Sequence, residues 1–145
     1  VDIGIAVAAE NGLFTPIIKN ANEKTVSQIS EEMKIFVKKV YENKLMPEDY
    51  EGGNFSISNL GMYNVDEFSA IINPPQAGIL AIGGISKEVY LEEDKPLERN
   101  VITFTLSVDH RIADGAQAAK FFDYFKYFVA NPVGMIVWMI KMYMI

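Results

Sequence analysis

Polar and hydrophobic positions alternate in several short stretches of the chain, and this two-residue period predicts strands. The clearest stretch runs from Val101 to Asp109, with aliphatic and aromatic residues on one face and hydroxyl groups on the other. Asp2 to Ala8 and Leu13 to Ile18 are two further apolar runs, and the turn residues Asn11-Gly12 between them predict a hairpin. The remaining predictions are strands over 55–60 and 78–85, a long loop over 61–77, and a strand with a surface turn over 87–100.

Two segments carry apolar residues every three or four positions, a spacing that predicts helices. The apolar positions of the first segment are Ile29, Met33, Phe36 and Val40. Those of the second segment, which follows Gly115, are Ala118, Phe122, Phe125 and Val129. Either Thr25 or Ser27 is expected to cap the first helix, and Pro132 is expected to end the second.

Composition narrows the range of functions. The length of 145 residues fits one domain, and half of the residues are apolar, as in a chain that folds around a core. The net charge of −6 argues against a nucleic-acid surface, which requires a basic patch. Because the chain has no cysteine and a single histidine, disulfides and thiolate catalysis are excluded and no metal site is expected.

The two ends of the chain add separate expectations. The last residues, Val133 to Ile145, are almost wholly apolar, but a membrane-spanning helix needs about 20 such residues. We therefore expect a buried or partner-binding tail and no membrane span. Val1 begins directly in strand-like sequence with no visible signal peptide, so we expect a fragment that starts within a domain.

The candidate chemistry centres on His110, the only histidine, which lies between the clearest predicted strand and the second predicted helix. A strand end can aim a side chain from a rigid frame, and imidazole exchanges a proton near neutral pH. Asp114, four residues later, could orient the turn or pair with Arg111. A lone histidine at a strand end also has a purely structural interpretation, which these residues alone do not exclude.

Longer segments resemble the acyltransferase (E2) components of the 2-oxo acid dehydrogenase complexes. Residues 109–115 match that family's D-H-R-x-x-D-G motif, and residues 53–62 resemble its G-x-F-T-I-S-N-L-G segment. Residues 68–83 resemble the form of a third segment found in the pyruvate complexes. Val1 to Val7 and Asn11-Gly12-Leu13 also fit, so the resemblance covers residues 1–132 in the family's order.

The resemblance implies an α/β fold like that of chloramphenicol acetyltransferase, a two-layer sandwich with a mixed sheet, here lacking part of its N-terminal half. It also implies homotrimers with the active site in a channel between two subunits, and cubic or dodecahedral cages of trimers. Coenzyme A would enter the channel from one end and a dihydrolipoyl arm, carried on another domain, from the other. E1 and E3 components would bind through domains absent here, in the bacterial cytoplasm or the mitochondrial matrix.

Carried over by position, the resemblance assigns catalytic roles to His110, Ser58 and Asp114. His110 would be the general base that removes the proton of the CoA thiol, and Ser58 would donate a hydrogen bond to the oxyanion. Asp114 would hold the turn in shape rather than carry a proton. Structural support of the site is assigned to Arg111 and Gly115.

The choice of serine depends on one departure from the family pattern. Ser56 lies two residues from Ser58 on the same strand face and is therefore an alternative oxyanion donor. The family usually has threonine at the position of Ser56, which favours Ser58. A serine in a strand can also simply bond to its own backbone.

Within the family, Leu60-Gly61-Met62 and Phe68-Ser69-Ala70 favour the acetyl-transferring, pyruvate type. Residues 1–132 would form a partial catalytic domain and residues 133–145 an atypical hydrophobic tail, so the activity of this chain and its assembly into a cage stay open. One alternative is acylation of a small-molecule hydroxyl, against which the Ile57 to Gly61 segment argues. Another is a non-catalytic scaffold, against which the intact histidine motif argues.

Overall fold

The computed structural model describes residues 1–134, which fall into two compact units. The first unit is Val1–Asp109, and the second begins at His110. The predicted tail, 133–145, lies almost wholly outside the described residues. No helix within the described part of the chain is long and apolar enough to cross a bilayer.

The first unit is built on a five-stranded mixed sheet with the strand order β4-β1-β5-β6-β7. Its strands are β1 (Ile3–Ile5), β4 (Ile17–Ile18), β5 (Phe55–Asn59), β6 (Gly78–Glu92) and β7 (Lys95–Val108). β5 is parallel to both of its neighbours, β1 and β6, whereas β1–β4 and β6–β7 are antiparallel. The predicted α/β class with a mixed sheet is therefore confirmed.

The predicted N-terminal hairpin is present, but each of its arms is divided into two strands. β1 pairs with β4 in the main sheet, while β2 (Val7–Ala9) and β3 (Gly12–Phe14) form a separate two-stranded sheet. Pro16 lies where the second arm divides, and a proline cannot donate to a strand ladder. The turn is one residue earlier than predicted, because Ala9 pairs with Gly12 across Glu10 and Asn11.

The first predicted helix is α1 (Val26–Tyr41). Its N-cap is Thr25, whose side chain accepts the N–H of Gln28, and the Gln28 side chain in turn accepts the N–H of Thr25. Phe36 and Val40 are buried on the predicted apolar face, and the helix contacts β2 and β4. A short helix, α2 (Pro47–Tyr50), follows and is linked to α1 by a hydrogen-bonded ion pair between Lys39 and Asp49.

The predicted strand boundary at residues 85–87 is wrong, because β6 extends from Gly78 to Glu92, whereas the predicted surface turn within 87–100 is present. Gly83 and Gly84 form an irregularity at which the pairing register shifts between Ile82 and Ile85, and the ladder resumes beyond it. The chain turns at Glu93 and Asp94, both with positive φ. The charged residues of this region form cross-strand pairs on an exposed hairpin, Lys87 with Glu98 and Glu88 with Arg99.

The second unit contains α3 (Gly115–Ala130), the second predicted helix. It ends with Asn131 as its C-cap, directly before Pro132, as predicted. Ala118, Phe122 and Phe125 are half-buried, whereas Val129 of the same predicted face is exposed. No residue of α3 is fully buried within the described part of the chain.

Candidate active site

Ser58 lies near the C-terminal end of β5, the strand at the centre of the sheet. It is paired in register with Ala81 of β6 and is half-buried. Its side chain makes no hydrogen bond to another residue in the part of the chain that the structure describes. The Ser58 hydroxyl therefore forms no hydrogen bond that stabilises the fold of the first unit.

Ser56, the alternative serine, has different surroundings although it faces the same side of β5. It is 1% exposed, and its hydroxyl donates to the side-chain oxygen of Gln76, which is itself 2% exposed. The sheet and the segment before β6 cover it. The Ser56 hydroxyl is thus used inside the core of the first unit.

The loop that follows Ser58 is held closely against β6. Asn59 accepts the N–H of Gly61 with its side-chain oxygen at 2.9 Å, which begins a 3₁₀ turn over Gly61–Tyr63. Gly84 donates its N–H to the carbonyl of Val65 at 2.8 Å. A Cβ atom at Gly83 would lie 2.0 Å from the carbonyl oxygen of Asp66, so the loop fits only against glycine.

His110 follows directly after the end of β7. Val108 is the last residue of that strand, and Asp109 donates its N–H to the carbonyl of Ala77 at 2.9 Å. His110, Arg111 and Ile112 then form an exposed turn. The imidazole is carried by the first residue of this turn, and the residue before the turn is hydrogen-bonded to Ala77, directly before β6.

Asp114 ends that turn as the N-cap of α3. Its carboxylate accepts the N–H of Gln117 at 2.8 Å, and the Gln117 side chain accepts the N–H of Asp114 at 3.0 Å. This reciprocal capping box satisfies two of the free donors at the helix end. Asp114 therefore defines where the turn stops and the helix starts.

Gly115 is the first residue of α3. A Cβ at Gly115 would meet nothing within 4 Å among the described residues, so no steric requirement for glycine is found there.

The five predicted site residues are divided between the two units. Ser58 belongs to the first unit, and the second contains the other four, His110, Arg111, Asp114 and Gly115. Sequence reasoning missed Gln76, a polar residue at the head of the apolar run 77–82 that is buried with Ser56. A glutamine directly before an apolar run is the signal by which Gln76 could have been found.

Residues 1–134 contain no group of three or more histidine or acidic side chains that could hold a metal ion.

Curated relatives of the chain come from bacteria and from mitochondria. A protein of Rickettsia conorii, the dihydrolipoyllysine-residue acetyltransferase component of pyruvate dehydrogenase complex, is 50% identical over 137 residues. That match covers 94% of this chain and 33% of the relative. The mitochondrial pyruvate dehydrogenase protein X component of Mus musculus is 47% identical over 138 residues, which cover 92% of this chain and 28% of the relative. The chain thus spans about a third of the length of these relatives.

Solved structures with the same fold include a probable dihydrolipoamide acetyltransferase from Listeria monocytogenes. It has a TM-score of 0.85 and 37% sequence identity, and the match covers 90% of this chain and 56% of the other. The dihydrolipoamide acetyltransferase of Azotobacter vinelandii has a TM-score of 0.87 and 31% identity, with 94% of this chain and 56% of the other covered. That structure comes from an investigation of a serine, a histidine and an asparagine in the catalytic mechanism.

The sequence model of the 2-oxoacid dehydrogenases acyltransferase catalytic domain matches residues 1–137. The match contains both of the segments described above, the β5 strand with Ser58 and the turn with His110. The fold class, the motifs and the relatives agree, and the chain belongs to the 2-oxoacid dehydrogenase acyltransferase family.

Proposed function

We propose that the chain is part of an acyltransferase that moves an acetyl group from dihydrolipoamide to coenzyme A in a pyruvate dehydrogenase complex. The observation that carries this proposal is a spacing. In the Azotobacter protein the investigated serine precedes the histidine by 52 positions, and the histidine precedes the asparagine by four. Ser58, His110 and Asp114 have the same two spacings.

His110 is the general base in this proposal. Its imidazole takes the proton of the CoA thiol, and the sulfur attacks the carbonyl carbon of the acetyl thioester on dihydrolipoamide. The tetrahedral intermediate then collapses, acetyl-CoA forms, and the leaving dihydrolipoyl sulfur takes the proton back from the imidazolium. Every proton is accounted for, and no other co-reactant is needed.

Ser58 is the proposed donor to the oxyanion of the tetrahedral intermediate. Its hydroxyl is not used by another described residue, and β5 is held between two parallel neighbours. A donor on a central strand is preorganised, so it needs no reorganisation when the negative charge develops. Ser56 is the weaker candidate, because its hydroxyl is buried against Gln76.

Asp114 has a shaping role in this proposal rather than a role in proton transfer. Its carboxylate is engaged by the backbone N–H of Gln117 at the start of α3. The Azotobacter protein has asparagine at this spacing from its histidine, and aspartate and asparagine are about equally good N-caps. Capping is therefore a function that both residues can perform. The family resemblance also gives Arg111 and Gly115 a role in supporting the turn, and at Gly115 that role does not depend on a steric need for glycine.

Substrates and partners follow from the same family argument. We propose coenzyme A as acceptor, a lipoyl group carried on another domain as donor, and a homotrimer that assembles into a larger cage. One structural relative is the cubic core of the pyruvate dehydrogenase multienzyme complex, which supports a multimeric assembly. Residues 1–132 would contribute part of the catalytic domain and residues 133–145 a hydrophobic tail. E1 and E3 components would bind elsewhere, in the bacterial cytoplasm or the mitochondrial matrix.

The test is acetyl-CoA formation from acetyl-dihydrolipoamide by the wild-type chain and by His110→Ala. A general base contributes about 10²–10⁴-fold, so the variant should lose that factor in kcat. Ser58→Ala should lose about 10²–10³-fold, as expected for an oxyanion donor. The matched control is Ile112→Ala in the same turn, where the side chain is 57% exposed, and its kcat should be unchanged. Normal turnover by His110→Ala would remove the base assignment.

A non-catalytic component of the complex is the second candidate. The mouse relative is named a protein X component rather than an acetyltransferase, although it is 47% identical to this chain. The intact segment from Asp109 to Gly115 favours catalysis. A wild-type chain that forms a stable oligomer and produces no acetyl-CoA would favour the second candidate.

A further inference from the structure

Ser56 and Gln76 form a hydrogen bond in the core of the first unit that the proposed reaction does not use. Both side chains are at least 98% buried. The Ser56 hydroxyl donates to the Gln76 oxygen, and the Gln76 nitrogen has no hydrogen-bond partner among the described residues. Gly53 closes the site from one side, since a Cβ there would lie 2.8 Å from that nitrogen. Such a buried amide needs an explanation beyond filling space, because an apolar side chain would fill it without the unmet donor.

The backbone around Gln76 connects two distant parts of the first unit. Gln76 donates its N–H to the carbonyl of Asn73 at 3.0 Å. Ala77, the next residue, donates its N–H to Asn54 just before β5 and accepts the N–H of Asp109, both at 2.9 Å. Ala77 is therefore the point at which the start of β5 and the end of β7 are joined.

The side-chain bond acts beside the backbone bond from Ala77 to Asn54 in holding that point. Ser56 is fixed within β5, so its bond to Gln76 holds residue 76 against the strand at a single position. The carbonyl of Ala77 is only one residue away along the backbone. Because it accepts the N–H of Asp109, it in turn holds the residue from which the chain continues to His110.

We propose that Gln76 is a positioning residue, which with Ser56 fixes the Ala77 carbonyl that anchors Asp109, the residue directly before the base. Gln76 touches no reacting atom and acts only through Asp109. The catalytic consequence rests on the function proposed above, whereas the anchoring of Asp109 does not. A small displacement of a reacting group is costly, since about 1 Å can reduce a rate by about 10²-fold.

The variants separate the hydrogen bond from the packing. Gln76→Met keeps the approximate volume and removes the bond, Ser56→Ala removes the donor, and Ser56→Thr keeps the hydroxyl. We expect kcat of the first two to fall by about tenfold with KM for coenzyme A changed less than about twofold, and Ser56→Thr to retain most of the activity. The control is Thr25→Ala, which weakens the cap of α1 and leaves the bond intact. If the pair were merely structural, Gln76→Met and Ser56→Ala would lose stability, but the kcat of their folded molecules would be unchanged.

Hydrogen exchange supplies a readout that does not depend on activity. The amide of Asp109 should exchange about tenfold faster in Gln76→Met and Ser56→Ala, while amides of the outer β6–β7 hairpin keep their wild-type rates. Unchanged exchange at Asp109 would overturn the proposal whether or not the chain is active. Faster exchange with unchanged kcat would overturn the catalytic consequence. If the wild type is inactive but Asp109 responds, the anchoring stands and the proposed function fails.

Discussion

Ser56 and Ser58 illustrate how two identical residues on one strand face acquire different uses. The two-residue period of a strand places both hydroxyls on the same side of β5. The segment before β6 then covers Ser56 and supplies Gln76 as its acceptor, whereas Ser58 lies one step further towards the strand end. Burial against a specific partner, rather than residue type, distinguishes the core serine from the candidate for catalysis.

Asp49 is a second residue whose behaviour depends on its neighbours. The Lys39 ammonium, hydrogen-bonded at 2.8 Å, holds the pKa of the Asp49 carboxyl below its usual value, and the N–H of Met46 acts in the same direction. The Asp49 side chain is only 12% exposed. Because its pKa is lower in the folded state, the stability it contributes is present above about pH 4 and is lost as the pH falls through the folded-state value.

Asp49→Asn should therefore change the acid side of the stability curve. We expect the wild type to lose more stability than the variant between pH 7 and pH 3, because only the wild type must protonate this carboxylate. Urea denaturation midpoints at the two pH values measure the difference. The control is Glu31→Gln, whose pair with Lys34 is largely exposed and should contribute little. Equal losses in wild type and Asp49→Asn would contradict the prediction.

At the scale of elements, the start of a helix in this chain is determined by residues close together in sequence, whereas the end of a strand is not. α1 and α3 both begin with a reciprocal capping box, Thr25 with Gln28 and Asp114 with Gln117. The two residues of a capping box are three positions apart, so the box can be recognised from the sequence alone. The long β6–β7 hairpin lacks such a local mark, because its turn residues, Glu93 and Asp94, are not the usual Asn-Gly pair.

The cap of α1 gives a prediction with a control inside the same helix turn. Thr25→Ala should lower the free energy of unfolding by about 1 kcal/mol, because the N–H of Gln28 loses its acceptor. Ser27→Ala, two residues later, should change it by less than about 0.5 kcal/mol. Chemical denaturation of both variants tests the pair. Equal effects would mean that Ser27 shares the capping role.

At the scale of the whole molecule, β5 occupies the centre of the sheet of the first unit. Its two parallel neighbours, β1 and β6, come from distant parts of the chain. The loop after β5 is then fastened to β6, where Gly84 bonds to Val65 and Gly83 meets the backbone of Asp66. The surroundings of Ser58 therefore depend on contacts between segments about 20 residues apart in sequence.

Gly83 and Gly84 form a matched pair for testing that contact. Gly83→Ala would place a Cβ atom 2.0 Å from the carbonyl oxygen of Asp66, so the loop must move, and we expect a loss of about 1–3 kcal/mol in unfolding free energy. At Gly84 the nearest atom would be 3.4 Å away, an ordinary contact, so Gly84→Ala should be much milder. Thermal or urea unfolding compares the two. A milder effect at Gly83 than at Gly84 would argue against the described fit.

The sequence alone was sufficient for features whose physical cause lies within a few residues. The apolar spacing and cap predicted α1, the alternation predicted the end of β7, and the segment 109–115 identified the turn before α3. The local pattern placed a strand boundary inside β6, at residues 85–87, where the charged residues begin. In the structure these charged residues pair with residues of the opposite strand. Only the tertiary structure decided that Ser56 is buried against Gln76 and that Ala77 joins Asn54 to Asp109. These bonds span 20 or more residues, and hydrogen bonds between distant segments leave no period or spacing in the sequence.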